Sequence, residues 1–205
     1  MSLVMFDYDG VIADSLDAHA KSFLAAFRDN GCTKMNTVQD VLDLYEDNVY
    51  RSMAALNLSE EEIDRILESY KVKQALLLDQ IQLFPQIREL FSDLVSAGHR
   101  VYIITSNTAE AVSGVLSKRE IFGVEKVIGL ETAKSKIKKI RMAMDWHPDL
   151  KAYYVGDTKG DIYEGRQAGA ATVGVAWGWH GPDKLKESQP DHLIYAPGEL
   201  IQLIS

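Results

Sequence analysis

Hydrophobic and polar positions follow two rhythms along this chain. Short apolar runs bounded by turn residues occur at residues 2–6 (SLVMF), in RVYIITSN from Arg100, in KAYYVGD from Lys151 and in ATVGVAWG from Ala171. Runs of this length, rich in Val, Ile and Tyr, predict buried strands. Shorter strands are predicted at 126–129 and 192–195. Between them apolar residues recur at helical spacing over 86–97, ending at Gly98, and over 108–118, 135–145, 160–168 and 197–204. Strands alternating with helices predict an α/β fold, a Rossmann-like parallel sheet covered on both faces.

Residues 15–81 interrupt this alternation. Ser15 is the expected N-cap of a helix over 15–30, with Ala18, Phe23, Ala26 and Phe27 on its apolar face and Gly31 as its stop. Two short helices are expected at 37–46 and 48–56. Ser59 and Glu62 form a capping-box pattern that opens a long helix to about Gln80, apolar at Ile63, Ile66, Leu67 and Tyr70. An all-helical block thus sits between the first and second strands. The expected organisation is an α/β core domain from 1–14 and 84–205, with an inserted helical cap domain over 15–83.

Composition narrows the partners. The chain has 205 residues, 46% of them hydrophobic, a net charge of −8 and a sequence pI near 5.1. Residues 12–84 carry 13 acidic against 7 basic residues, so most of the negative charge lies in the helical block. A basic face for nucleic acid or an anionic membrane is not expected. The one cysteine, Cys32, rules out an intrachain disulfide. No apolar run approaches the ~18–20 residues of a membrane span, and no signal-peptide pattern precedes the first strand. A cytoplasmic location is the expectation.

Three strand ends carry chemistry. Asp7 and Asp9 follow the first, Thr105-Ser106-Asn107 the second, and Gly156-Asp157 with Asp161 a later one. Parallel sheets bind ligands beyond the carboxyl ends of their strands. Carboxylates gathered there need a counter-cation, and hard oxygen donors favour Mg²⁺, usually completed by a substrate phosphate. A lysine from the basic helix near Lys134 would add fixed positive charge. The predicted chemistry is phosphoryl transfer to an aspartate, with a second carboxyl moving the proton. Gly10 would let the loop turn so that both aspartates reach one pocket.

Together DYDGV, IITSN, a lysine at the head of a helix and VGDTKGD resemble the four ordered motifs of the haloacid dehalogenase superfamily. The likeness spans nearly the whole chain, and the helical insert is similar to that of its phosphoglycolate phosphatase-like and β-phosphoglucomutase-like members. The resemblance implies that Asp7 is the nucleophile and a metal ligand. It makes Asp9 the general acid/base, with its backbone carbonyl on the metal. Thr105 and the Ser106 amide would hold phosphoryl oxygens, with Asn107 also on the substrate side. Asp157 and Asp161 would complete the Mg²⁺ site. The lysine is Lys134 or Lys136, in Lys134-Ser135-Lys136 where the family usually has Lys-Pro, and motif spacing favours Lys134. The aspartate at position 9 disfavours dehalogenation.

The implied function is a Mg²⁺-dependent phosphatase for a small phosphorylated metabolite. The alternatives are a phosphomutase and, from another class, a catalytically silent binding protein. Other features stay open to two readings. His19 is a surface or hinge histidine, or, by the resemblance, a substrate contact. WGWHG at 177–181 is packing filler or the border of the pocket. Lys138 and Lys139 read as a solvated helix face, and Tyr45, Tyr50 and Tyr70 as core or cap-face residues.

Overall fold

In the computed structural model, residues 1–77 and 80–204 are described. The chain divides into two compact units, Met1–Asp14 with Leu83–Ser205, and Ser15–Gln82. The expected boundary at 83/84 falls one residue later.

The first unit is built on a six-stranded sheet. Its strands are β1 (Ser2–Phe6), β4 (Arg100–Ile104), β5 (Val124–Ile128), β6 (Lys151–Gly156), β7 (Ala171–Val175) and β8 (His192–Ile194), in spatial order β5-β4-β1-β6-β7-β8. All neighbouring pairs are parallel, with Val4 opposite Val101 on one side and Tyr153 on the other. Every residue of β1 is buried, as a central strand covered on both faces requires. The strand order reverses at β1, so the loops after β1, β4 and β6 are neighbours, the usual place for a ligand in such sheets.

The helices of this unit are α5 (Ile87–Ser96), α6 (Ala109–Lys118), α7 (Lys136–Asp145), α8 (Lys159–Ala168), α9 (Gly181–Glu187) and α10 (Gly198–Ile204). On one sheet face Leu3, Met5, Tyr102, Ile104 and Tyr154 pack with Ile140 and Ala143 of α7. Three short elements went unforeseen: α9 and the two-residue strands β2 (Ala13–Asp14) and β3 (Gln82–Leu83). Two residues are too few to show any periodicity. For α9 the apolar signal reduces to one fully buried side chain, Leu185.

The second unit contains α1 (Leu16–Asp29), α2 (Val38–Asp43), a 3₁₀ turn (Leu44–Glu46), α3 (Val49–Ala55) and α4 (Glu60–Ala75). Ser59 and Glu62 form the predicted capping box, and Thr37 with Asp40 forms another. Ser15 occupies the N-cap position of α1, but its buried hydroxyl accepts no cap hydrogen bond. The long helix ends at Ala75 rather than near Gln80; positions 78 and 79 of that expectation lie outside the described residues. Phe23, Phe27, Met53, Ile63 and Ile66 form the core of this unit, with Tyr45, Tyr50 and Tyr70 packed against it.

Candidate active site

The site grows from the carboxyl end of β1. Asp7 is the first residue beyond the strand, and its N–H still donates to Val155 O of β6 at 2.9 Å. The chain then turns sharply, with the N–H of Ile12 and of Ala13 donating to Tyr8 O at 3.0 Å and Gly10 at φ +76°. A side chain at Gly10 would collide with the Asp157 carboxylate, a Cβ lying 1.9 Å from its Oδ2. Glycine there permits the left-handed turn and lets the loops after β1 and β6 touch.

Asp7, Asp157 and Asp161 converge. One carboxylate oxygen from each lies within 4.8 Å of the others. Their exposures are 7%, 0% and 2%, so water cannot disperse their mutual repulsion. Burial is the main influence raising the Asp7 carboxyl, to about 7, and Asp161 and Asp9 add to the shift while Lys136 opposes it. Burial also lifts Asp157 well above the usual carboxylate range, reinforced by the charges of Asp161 and Asp7. Asp161 goes the other way. Burial would raise it, but Lys136 and the hydrogen bonds from Lys136, Thr158 and Tyr154 together hold it low.

The cation among these carboxylates is Lys136. Its Nζ donates to Asp7 Oδ2 at 2.7 Å and to Asp161 Oδ1 at 2.8 Å. This corrects the placement expected for Lys134, which is exposed and lies before α7. Helix α7 begins one residue after its N-cap Ser135, whose hydroxyl accepts from the Lys138 N–H. Lys136 is therefore the lysine at the head of the helix. The same helix overturns the solvated reading of Lys139, which is fully buried and donates from Nζ to Thr105 O. Desolvation pushes its ammonium down to about 8.

Asp161 closes a capping box with Thr158. Its Oδ2 accepts from the Thr158 N–H at 3.2 Å and hydroxyl at 2.6 Å, and its Oδ1 from Lys136 and from the Tyr154 hydroxyl at 3.1 Å. Asp157 is less satisfied. Its Oδ2 accepts from the Trp179 N–H at 2.7 Å, whereas its buried Oδ1 has no hydrogen-bond partner. A buried carboxylate oxygen in that condition is costly unless a cation meets it. All-oxygen donors beside an orphaned carboxylate oxygen fit a hard divalent cation. Asp7, Asp157 and Asp161 could hold it together, and Asp157 Oδ1 is the oxygen with no competing hydrogen bond.

Around this centre, Asp9 stands outside the trio and accepts from Asn107 Nδ2 at 2.6 Å. The Asn107 side chain, expected on the substrate side, is thus engaged with an aspartate. Thr105 is fully buried, Ser106 is exposed, and the Asn107 N–H donates to Thr105 Oγ1 at 3.0 Å. The N-cap of α6 is Thr108, whose hydroxyl accepts from the Ala111 N–H. The WGWHG segment borders the site: beyond the Trp179 contact, Trp177 Nε1 donates to Val11 O at 3.1 Å, and a Cβ on Gly178 would sit 2.2 Å from that of Asp157. Gly178 beside Trp179 was the available signal, because glycine is needed where a backbone passes close to another group.

His19 is not at a surface. It is buried in the helical unit, its Nε2 2.6 Å from the Tyr45 hydroxyl and its Nδ1 2.7 Å from that of Tyr70. Both ring nitrogens are engaged, which corrects the expected substrate contact. Burial lowers its pKa to about 3.

Residues 4–175 match the family model described as haloacid dehalogenase-like hydrolase. The chain belongs to the haloacid dehalogenase-like hydrolases. Among relatives of this family, a phosphoglycolate phosphatase from Synechococcus elongatus is 26% identical over 212 residues, covering 100% of this chain and 98% of the relative. A pyrophosphatase PpaX from Listeria monocytogenes is 24% identical over 216 residues, covering 100% and 96%. In fold the chain is similar to a hydrolase from Pseudomonas syringae, with TM-score 0.86, 16% identity and all of both chains covered. A haloacid dehalogenase-like hydrolase from Streptococcus pneumoniae matches with TM-score 0.82 and 24% identity, over 100% of this chain and 99% of the other. Among the described residues no helix is long and apolar enough to cross a membrane.

Proposed function

We propose that this haloacid dehalogenase-like hydrolase is a Mg²⁺-dependent phosphatase acting on a small phosphate ester through an aspartyl-phosphate on Asp7. The observation that carries the reading is the convergence of Asp7, Asp157 and Asp161 at adjacent strand ends, with the Lys136 ammonium bridging Asp7 and Asp161. The Asp7 carboxylate attacks phosphorus, and the leaving oxygen departs with the bonding pair. Asp9 gives that oxygen its proton, then takes one from the water that cleaves the aspartyl-phosphate. Asn107 orients the Asp9 carboxylate for both steps. Thr105 and the Ser106 amide bind phosphoryl oxygens, while Lys136 offsets the repulsion between Asp7 and the phosphate.

Asp7 and Asp157 would hold Mg²⁺, with Asp161 supporting the site through Lys136. The ion would supply electrostatic stabilisation of the phosphoryl oxygens. The helical unit is proposed as the cap domain of this hydrolase, with a role in substrate selection. The relatives' names put the ester phosphoglycolate first among candidate substrates, with the anhydride pyrophosphate as a second compound for the same panel.

The test is phosphate release from a panel of phosphorylated metabolites, with and without Mg²⁺, for the wild type and Asp7→Asn. Mg²⁺-dependent release that D7N loses supports the reading. Release surviving in D7N would overturn the mechanism. Products that keep their phosphate would point instead to a phosphomutase.

A further inference from the structure

Lys139 is the buried charged group that the mechanism above does not use. It lies one helical turn after Lys136 on α7 and is fully buried. Its ammonium donates to the main-chain carbonyl of Thr105, at the start of the loop after β4. The rest of Thr105 is tied as well. Its N–H donates to Ile128 O at 3.1 Å, and its hydroxyl oxygen accepts from the Asn107 N–H. Asn107 in turn reaches Asp9. Lys139 thus stands at the base of a chain of contacts running from α7 through the loop to Asp9.

A neutral donor would satisfy a carbonyl at lower cost. Removing an ammonium from water costs several kcal/mol, and the neighbouring Lys136 adds repulsion to that burial cost. Such a charge is poorly explained as a simple brace. A trans peptide points its C=O and N–H in opposite directions. Fixing Thr105 O therefore fixes the Ser106 N–H, directed away from Lys139. A cation on that carbonyl also polarises the peptide, which strengthens the N–H as a donor.

We propose that Lys139 is a positioning residue of the phosphate-binding loop. It clamps the Thr105 carbonyl so that the Ser106 N–H faces the phosphoryl anion, and it sets a buried positive charge beneath the loop. The proposal rests on the phosphatase reading and adds to it a group that never touches substrate.

Lys139→Met removes the charge and the donor while keeping much of the buried volume. Inorganic phosphate binding to wild type and K139M is measured calorimetrically with Mg²⁺, beside thermal unfolding and hydrolysis of a phosphate ester. The expected result is a rise of roughly tenfold or more in the phosphate dissociation constant. KM should rise with it, and kcat/KM should fall by roughly ten- to a hundredfold, less than for loss of a direct donor. The melting temperature separates loss of fold from loss of affinity, because K139M removes a buried charge but also leaves the buried Thr105 carbonyl without its donor. Phosphate affinity within about twofold of wild type would overturn the proposal, whatever the melting temperature. If K139M does not fold, Lys139→Gln gives the same comparison with a shorter neutral donor. A wild type that binds no phosphate overturns the phosphatase reading and this proposal together; one that does, with K139M unchanged, overturns the role of Lys139 alone.

Discussion

The two units bury polar groups in opposite ways. In the α/β unit three carboxylates and two lysines lie in one neighbourhood, and the buried Asp157 Oδ1 is left without a hydrogen-bond partner. In the helical unit the polar centre is neutral, an imidazole whose two nitrogens meet two tyrosine hydroxyls. The first arrangement holds unrelieved repulsion, which a ligand can remove. The second is satisfied at both ring nitrogens, and a ligand has little to add. Uncompensated buried charge marks a site of chemistry; compensated neutral burial marks a core.

The strongest way to break this contrast is Asp7→Asn. Activity should fall at least about a thousandfold, as expected for a lost nucleophile, while circular dichroism stays unchanged. A smaller loss would mean that the charged cluster is structural. Lys136→Met should cost roughly a hundred- to a thousandfold in kcat/KM, against less than about twofold for Lys134→Ala. The reverse order would return the role to the exposed lysine.

For the helical unit, His19→Ala should destabilise the protein by about 2–5 kcal/mol through a cavity and two stranded hydroxyls. Below the melting range kcat should stay within about twofold of wild type. A large kcat loss in stable protein would restore His19 as a substrate residue. The sign of its pH effect is also set. Its folded pKa is lowered, so between about 6.5 and 3 the unfolded chain binds a proton that the folded protein refuses. His19 therefore withdraws stability as pH falls through that window, and His19→Gln should flatten the acid limb of a denaturation series. The smallest effect belongs to Ser59→Ala. Loss of the capping box should cost about 1 kcal/mol, with kcat unchanged.

Periodicity exposed most of the framework. The five longer strands, α5 to α8 and the Ser59–Glu62 capping box follow local rules of alternation, capping and glycine stops, so their residues carry the signal themselves. Ser15 takes its predicted N-cap position without making the cap hydrogen bond, because the residue type marks a helix start while backbone geometry decides whether the hydroxyl reaches a helical N–H. The site was legible as four motifs in order. Its lysine was not, since Lys134, Lys136, Lys138 and Lys139 lie in one short basic run and differ only in which way the helix turns them. Starting α7 at Lys136 sends that side chain to Asp7 and carries Lys139 inward, one turn later.

The sequence by itself determined the α/β class, the helical insert, the acidic strand ends and the residue types able to transfer a phosphoryl group. These are properties of short windows, where side-chain period and charge speak directly. Only the tertiary structure decided which lysine faces Asp7, that Asn107 serves Asp9, that His19 is interior, and that Trp179 reaches Asp157. Each of those pairs is joined by packing between segments distant in the chain, and no local pattern encodes the distance between two such residues.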